Sequence, residues 1–189
     1  MSTCLVGSEM CIRDSPSGGW IPAVIAGNTG IGLSQRAQSF VLYEDENPYN
    51  VIEPGKRPRA TLTPALAIKD KRPFLSFAVQ GGDTQDQNLL QFFLNMVEFE
   101  MNVQEAAEAA NVNSYQMYSS FGTHSKEAGR IVVRDDTPPW VIKDLRSKGY
   151  NVVTRRLTSG PINAIWFDHK NGTMWGGSSN FGEDYGIGW

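Results

Sequence analysis

The 189-residue sequence is short of cysteine, histidine and long apolar runs, and each shortage closes off a class of chemistry. Both cysteines, Cys4 and Cys11, fall at the extreme N-terminal end. The remainder therefore has no thiol for a disulfide, a nucleophile or a soft metal site. The two histidines, His124 and His169, each have one acid nearby, Glu127 and Asp168, and neither reaches the ligand count of a metal site. No glycine pattern has the Walker or dinucleotide spacing, so no metal, nucleotide or other cofactor is expected. The longest apolar stretches, such as Phe74 to Val79, are too short to cross a bilayer. A net charge of −3 is too small to advertise nucleic acid or an anionic membrane as a partner.

What is present is ordinary for a globular protein: 40% hydrophobic and 20% charged residues, in a chain long enough for one domain with a core. The N-terminal stretch stands apart. Leu5 to Ser15, LVGSEMCIRDS, resembles a translated transposase adapter from sequencing-library preparation, unbroken along its length. Its apolar run is interrupted by Gly7, Ser8 and Glu9, which excludes a signal peptide. The expectation is that residues 1–15 are an adapter-derived artefact. Residues 16–189 then form one domain that is incomplete at its N-terminus, and composition leaves its compartment open.

Apolar residues Ile21, Val24, Ile25, Ile31 and Leu33 around Gly27-Asn28-Thr29-Gly30 predict two short extended segments, with Gln38 to Tyr43 a possible third. Asp45 to Lys56 reads as a loop. Ala65 to Ile68 and Pro73 to Val79 flank a polar turn and predict a hairpin of strands buried on both faces. A helix follows, capped by Asp83 or Thr84, with Leu89, Phe92, Phe93, Met96 and Val97 on one stripe. Val103 to Ala110 predicts a second helix. Asn111 to Asp136 has weak periodicity and predicts mostly irregular chain, with a strand at Arg130 to Val133. A helix opened by Pro138-Pro139 and closed by Gly149 comes next. Strands at Asn151–Arg155, Ile162–Phe167 and Thr173–Gly176 complete the chain. Strands, then helices, then strands predict an α+β fold with helices on a mainly antiparallel sheet.

One place looks chemical. In Val79-Gln80-Gly81-Gly82-Asp83-Thr84-Gln85 a glycine pair lies between a strand and a helix N-terminus. Backbone N–H groups there are the raw material of an oxyanion hole. On the residues alone, a tight turn that needs an unusual backbone angle is the commoner reading. The five tryptophans could suggest a carbohydrate-binding or adhesion module. They are scattered through different elements, however, and scattered aromatics belong more often to a core.

Several motifs recur in one order. Gly30-Ile31-Gly32-Leu33-Ser34-Gln35-Arg36 is followed by Pro54-Gly55-Lys56-Arg57-Pro58, by Thr61-Leu62-Thr63-Pro64, by Gln80-Gly81-Gly82 and finally by Gly176-Gly177-Ser178-Ser179. In this order and spacing the chain resembles the small, C-terminal subunit of the gamma-glutamyltranspeptidases from Gly27 to Trp189. That resemblance implies an N-terminal-nucleophile hydrolase, of which this chain is part of a four-layer α-β-β-α sandwich completed by the large subunit of one self-cleaving precursor. It implies a threonine nucleophile activated by its own α-amine, roughly twenty residues before Pro16 and so missing from this chain, a hydroxyl needing such a base to attack. The chain alone is therefore expected to be inactive, and Ser15 and Ser17 are not substitutes. The family also suggests a periplasmic or secreted location.

Carried over by position, Gly81 and Gly82 match the oxyanion-hole pair. Thr61 matches the second of two serines that hold a substrate carboxylate, with Ala60 in place of the first. The acidic pair that grips the α-amine of a γ-glutamyl group falls on Gln38 and Ser39, neither of which is acidic. Arg36 occupies a position where Glu or Gln is usual, and it offers a fixed fork to a carboxylate or forms a surface or interface ion pair. This pattern points to the divergent oxamate amidohydrolase-like and acylase-like branch, acting on a small-molecule amide. The competing reading is a non-catalytic structural or binding relic of the same fold.

Overall fold

The computed structural model describes residues 25, 27–29, 36–158 and 160–181. The adapter-like segment, the extended segments expected around Ile21, Val24, Ile31 and Leu33, Trp20 and Trp189 lie outside the described residues. Strands β1 (Ala65–Lys69) and β2 (Arg72–Val79) form the expected antiparallel hairpin. Asp70 and Lys71 turn it, both in the left-handed region at φ 51° and 62°. Two such residues in succession match the right-handed twist of the flanking strands. Strands β6 (Ile162–Asp168) and β7 (Thr173–Ser178) extend the sheet to the order β1-β2-β6-β7, antiparallel throughout. The Asp168 carboxylate closes the β6–β7 turn by accepting from the Lys170 and Asn171 backbone N–H groups and from the Asn171 side chain. The Asn171 side-chain bond, with the backbone bonds behind it, holds the Asp168 carboxyl below its usual range.

Helices α1 (Gln85–Val97) and α2 (Val103–Glu108) cover one face of this sheet. Register explains why. Ala65, Phe77, Ala164 and Gly177 stand in one cross-strand row, and Ala67, Leu75, Trp166 and Trp175 in the next. Residues opposite each other share a face, so these rows present Leu75, Phe77, Ala164 and, at the strand ends, Val79 and Ile162 to the helices. They bury Leu89 and Phe92 of α1 with Val103, Ala106 and Ala107 of α2. Phe77 meets Phe92 and Phe93 at ring-centroid distances of 5.6 and 5.8 Å. Asn102 and Glu105 form a reciprocal capping box that starts α2.

A second sheet joins β3 (Val112–Ser114), β4 (Arg130–Arg134) and β5 (Asn151–Arg155). β3 runs antiparallel to β4, and β4 runs parallel to β5 through α3 (Pro139–Ser147). Ile142 and Leu145 of α3 pack on Ile131, Val133 and Val152. The expected α+β class and antiparallel main sheet are present, and one parallel pair is added to them.

Four expectations are corrected. The hairpin is not buried on both faces: β1 is an edge strand, Leu66 is 56% exposed on the face the helices do not cover, and Ile68, past a bulge, is 66% exposed. Gln38 to Tyr43 is not a strand, because Arg36–Ser39 forms a 3₁₀ turn and only Val41 makes a parallel bridge, to Val51. Neither Asp83 nor Thr84 caps α1 through its side chain. A 3₁₀ turn, Gly82–Thr84, intervenes, and the Thr84 hydroxyl turns back to the Gly81 carbonyl at 3.0 Å. Finally, the stretch after Asn111 contains β3, which the apolar pattern does not mark. One edge of β3 pairs with a helix instead of a strand. The Gln91 amide donates to Val112 O and accepts from Val112 N at 2.8 Å each, and Gln87 does the same with Ser114 at 3.1 and 2.7 Å. Two glutamines one helical turn apart thus stand in for a partner strand.

Candidate functional site

The end of β2 delivers the glycine pair to the start of α1. Gly81 and Gly82 have φ of 153° and 60°. A Cβ would lie 2.9 Å from Thr84 Oγ1 at Gly81 and 3.0 Å from Phe121 Cε2 at Gly82. Backbone angle and crowding both select glycine. On the other side Gly160 presses on the same turn, where a Cβ would come within 1.6 Å of the Gln80 carbonyl oxygen.

The two backbone donors differ. Gly81 is exposed, and its N–H has no acceptor among the described residues. Gly82 N lies 3.2 Å from the Gln85 side-chain oxygen, in the amide orientation that satisfies all of Gln85's neighbours. In that orientation the buried Gln85 nitrogen donates to Thr61 O, Thr63 Oγ1 and Val79 O at 2.9, 3.1 and 3.1 Å. One amide therefore ties the glycine turn to the segment that carries Thr61.

Arg36 and Thr61, read from the sequence as binding residues, are in contact. Arg36 is 7% exposed and its Nη1 donates to Thr61 Oγ1 at 3.1 Å. Its guanidinium carbon lies 5.6 Å from the centroid of the Phe121 ring, within cation–π range. The edge of the same ring faces Gly82. All four sequence-predicted residues, Arg36, Thr61, Gly81 and Gly82, are thereby gathered at one corner, with Phe121 and Gln85 as the connectors. Ser39, at the position of a family acid, is buried, and its hydroxyl donates to the Arg36 and Arg59 carbonyls at 2.8 and 3.3 Å.

Sequence reasoning missed Phe121, Gln85 and the true role of Asp83. Phe121 lies in a stretch without periodicity and carried no signal. Asp83 stands out in the sequence as an acid beside the glycine pair, at a position that suits a helix cap. Its carboxylate instead bonds Ser120 and Arg59. Beside this corner a cavity of about 180 Å³ opens between the segment from Ser39 to Asn50 and the loop from Tyr118 to His124. Arg59, Glu46 and His124 are among its lining residues. His124 donates from Nδ1 to Ser119 O at 2.9 Å, and His169 from Nε2 to Pro73 O at 2.6 Å. Both histidines thus anchor backbone carbonyls.

Comparison with known proteins agrees with the motifs. The chain is 31% identical over 140 residues to the glutathione hydrolase proenzyme of Bacillus subtilis, covering 73% of this chain and 22% of that protein. It superposes on cephalosporin acylase from Bacillus halodurans with a TM-score of 0.67 at 27% identity, covering 80% of this chain and 26% of that one. A chain of gamma-glutamyltranspeptidase from Pseudomonas nitroreducens gives a TM-score of 0.71 at 21% identity, covering 90% of this chain and 89% of that chain. The chain spans about a fifth of the length of the glutathione hydrolase proenzyme it matches. The profile of one family, gamma-glutamyltranspeptidase, matches residues 22–189. The order of motifs, the fold and this match agree, and the chain belongs to the gamma-glutamyltranspeptidase family.

Proposed function

We propose that this chain is the C-terminal, substrate-binding part of an amide hydrolase or acyltransferase whose nucleophile is an N-terminal threonine contributed from outside residues 16–189. The observation that carries this reading is the glycine corner. An exposed Gly81 N–H and the neighbouring Gly82 N–H lie at the start of α1, where the helix dipole favours negative charge. Donors so placed stabilise the oxyanion that forms when a hydroxyl attacks an amide carbonyl. An incoming oxyanion competes with Gln85 for the Gly82 N–H, and at 3.2 Å that bond is a long one.

Arg36 and Thr61 supply the recognition. A guanidinium beside a hydroxyl, with no acid at Gln38 or Ser39, suits an acyl group that carries a carboxylate better than a zwitterionic amino-acid head. Similarity to a cephalosporin acylase as well as to glutathione hydrolases supports amide hydrolysis as the common reaction. The partner is the large subunit of the same precursor. Two exposed apolar residues on the sheet face away from α1 and α2 support this: Leu66 on one outer strand is 56% exposed and Met174 on the other is 68% exposed. Large apolar side chains left exposed are what a docked partner would cover.

The test is expression of the longer gene product that contains residues 16–189. It should cleave itself to expose a new N-terminal threonine, read by mass spectrometry, and should then hydrolyse a carboxylate-bearing amide. The 189-residue chain alone should hydrolyse nothing. Absence of both self-cleavage and turnover in the longer product would favour the non-catalytic relic, and turnover by the short chain would refute the missing-nucleophile reading.

A further inference from the structure

The Asp83 carboxylate joins three segments of the glycine corner. Oδ2 accepts the Ser120 backbone N–H at 2.7 Å, and Oδ1 accepts the Ser120 hydroxyl at 2.6 Å and Arg59 Nη2 at 2.7 Å. Ser120 is buried, so these groups cannot exchange their partner for water without the loop opening. Bonds to a charged acceptor are stronger than neutral ones, and losing that acceptor would strand the Ser120 donors.

Residues 117–125 otherwise hydrogen-bond among themselves: Ser119 N to Ser125 O, His124 N to Phe121 O, the Ser119 hydroxyl to Phe121 O, and His124 Nδ1 to Ser119 O. Among the described residues, the hydrogen bonds that leave this stretch go to Asp83. Phe121 follows Ser120 directly, and its ring touches both Gly82 and the Arg36 guanidinium. Arg59, the third partner, lies two residues before Thr61, whose hydroxyl Arg36 holds. The contacts close a ring that runs from Asp83 through Ser120 and Phe121 to Arg36, then through Thr61 and Arg59 back to Asp83.

We propose that Asp83 is a positioning residue that clamps the 117–125 loop onto the glycine pair and so makes Phe121 the wall between the oxyanion donors and the carboxylate-binding Arg36. Asp83 does not touch the reacting atoms. It sets the distance between the two ends of the acyl group by fixing the ring between them. The structural part of this stands by itself, and its kinetic consequence rests on the function proposed above.

Hydrogen–deuterium exchange on the self-processed enzyme, followed by mass spectrometry, reads the clamp directly. Asp83→Ala should speed exchange in peptides covering residues 117–125 by about tenfold or more, as loss of charge-assisted bonds predicts, while peptides from β6 and β7 stay unchanged. Ser120→Ala, which keeps the backbone bond, should produce a smaller rise in the same peptides. If Asp83→Ala raises exchange throughout the chain, Ser120→Ala decides: a local rise upholds the clamp and no rise overturns it. In steady-state kinetics Asp83→Ala should raise KM for a carboxylate-bearing amide, and adding Phe121→Ala should cause no further loss, because both changes remove the same wall. Unchanged exchange at residues 117–125, or losses that multiply in the double variant, would overturn the proposal. A wild-type enzyme without turnover would refute the proposed function and leave the exchange result to judge the clamp.

Discussion

At the scale of single residues, Arg36 is the most exacting case. It is buried, donates to Thr61 and lies over Phe121, so a structural role stands beside the proposed binding role. Substrate kinetics separate them. In the self-processed enzyme, Arg36→Ala should raise KM about ten- to hundredfold for an amide bearing a free carboxylate, the range expected for a lost bond to a charged group, with kcat less affected. The same substrate with its carboxylate converted to an ester or amide should lose little. Arg36→Lys should rescue only part, since an ammonium cannot reproduce the planar fork. Equal weakening of both substrates, or of neither, would make Arg36 a structural residue. The family motifs brought Arg36, Thr61, Gly81 and Gly82 into view because each lies in a short conspicuous string. Phe121 and Ser120 were illegible, since what places them is a long-range bond to Asp83 that no local pattern announces.

At the scale of elements, apolar runs and turn residues revealed the β1–β2 hairpin, the three helices and the closing strands. β3 escaped because its stabilisation comes from Gln87 and Gln91 of α1 rather than from an apolar face. The stripe on α1 also needs refinement. Phe92 is the residue most deeply buried on it, at 1% exposed, while Phe93 is only half-buried. Phe92→Ala should therefore cost about 3–5 kcal/mol, and Phe93→Ala less, in equilibrium denaturation. Gln91→Ala is not a neutral control, because it removes both bonds to Val112. It should cost about 1 kcal/mol, the exposure of that strand edge letting water replace part of the loss. If Gln91→Ala proves more costly than Phe92→Ala, the buried stripe is misassigned.

At the scale of the whole molecule, two unlike sheets meet along α1: the antiparallel sheet under its apolar face, and β3 against its glutamines. The glycine pair lies at the N-terminal end of that same helix, so packing in both sheets fixes the angle at which the donors emerge. On the sheet face away from α1, Leu66 and Met174 are exposed on the two outer strands, which is where the proposed large subunit would make contact. The unbroken apolar run of β1 does not reveal this exposure, since hydrophobicity alone does not say which face of a strand its own chain covers. In the proposed function the Gly81 and Gly82 backbone donors stabilise the transition state of amide cleavage. The measurement that tests it most directly is kcat of self-processed Gly82→Ala against wild type, with Tm recorded alongside. At φ 60° with Phe121 at 3.0 Å, the added methyl should cost about 1–2 kcal/mol of stability and push the acyl carbonyl off its donors. In enzyme that remains folded and processed, kcat should fall by about 10²–10³. A folded, processed Gly82→Ala enzyme with wild-type kcat would contradict that role of the donors.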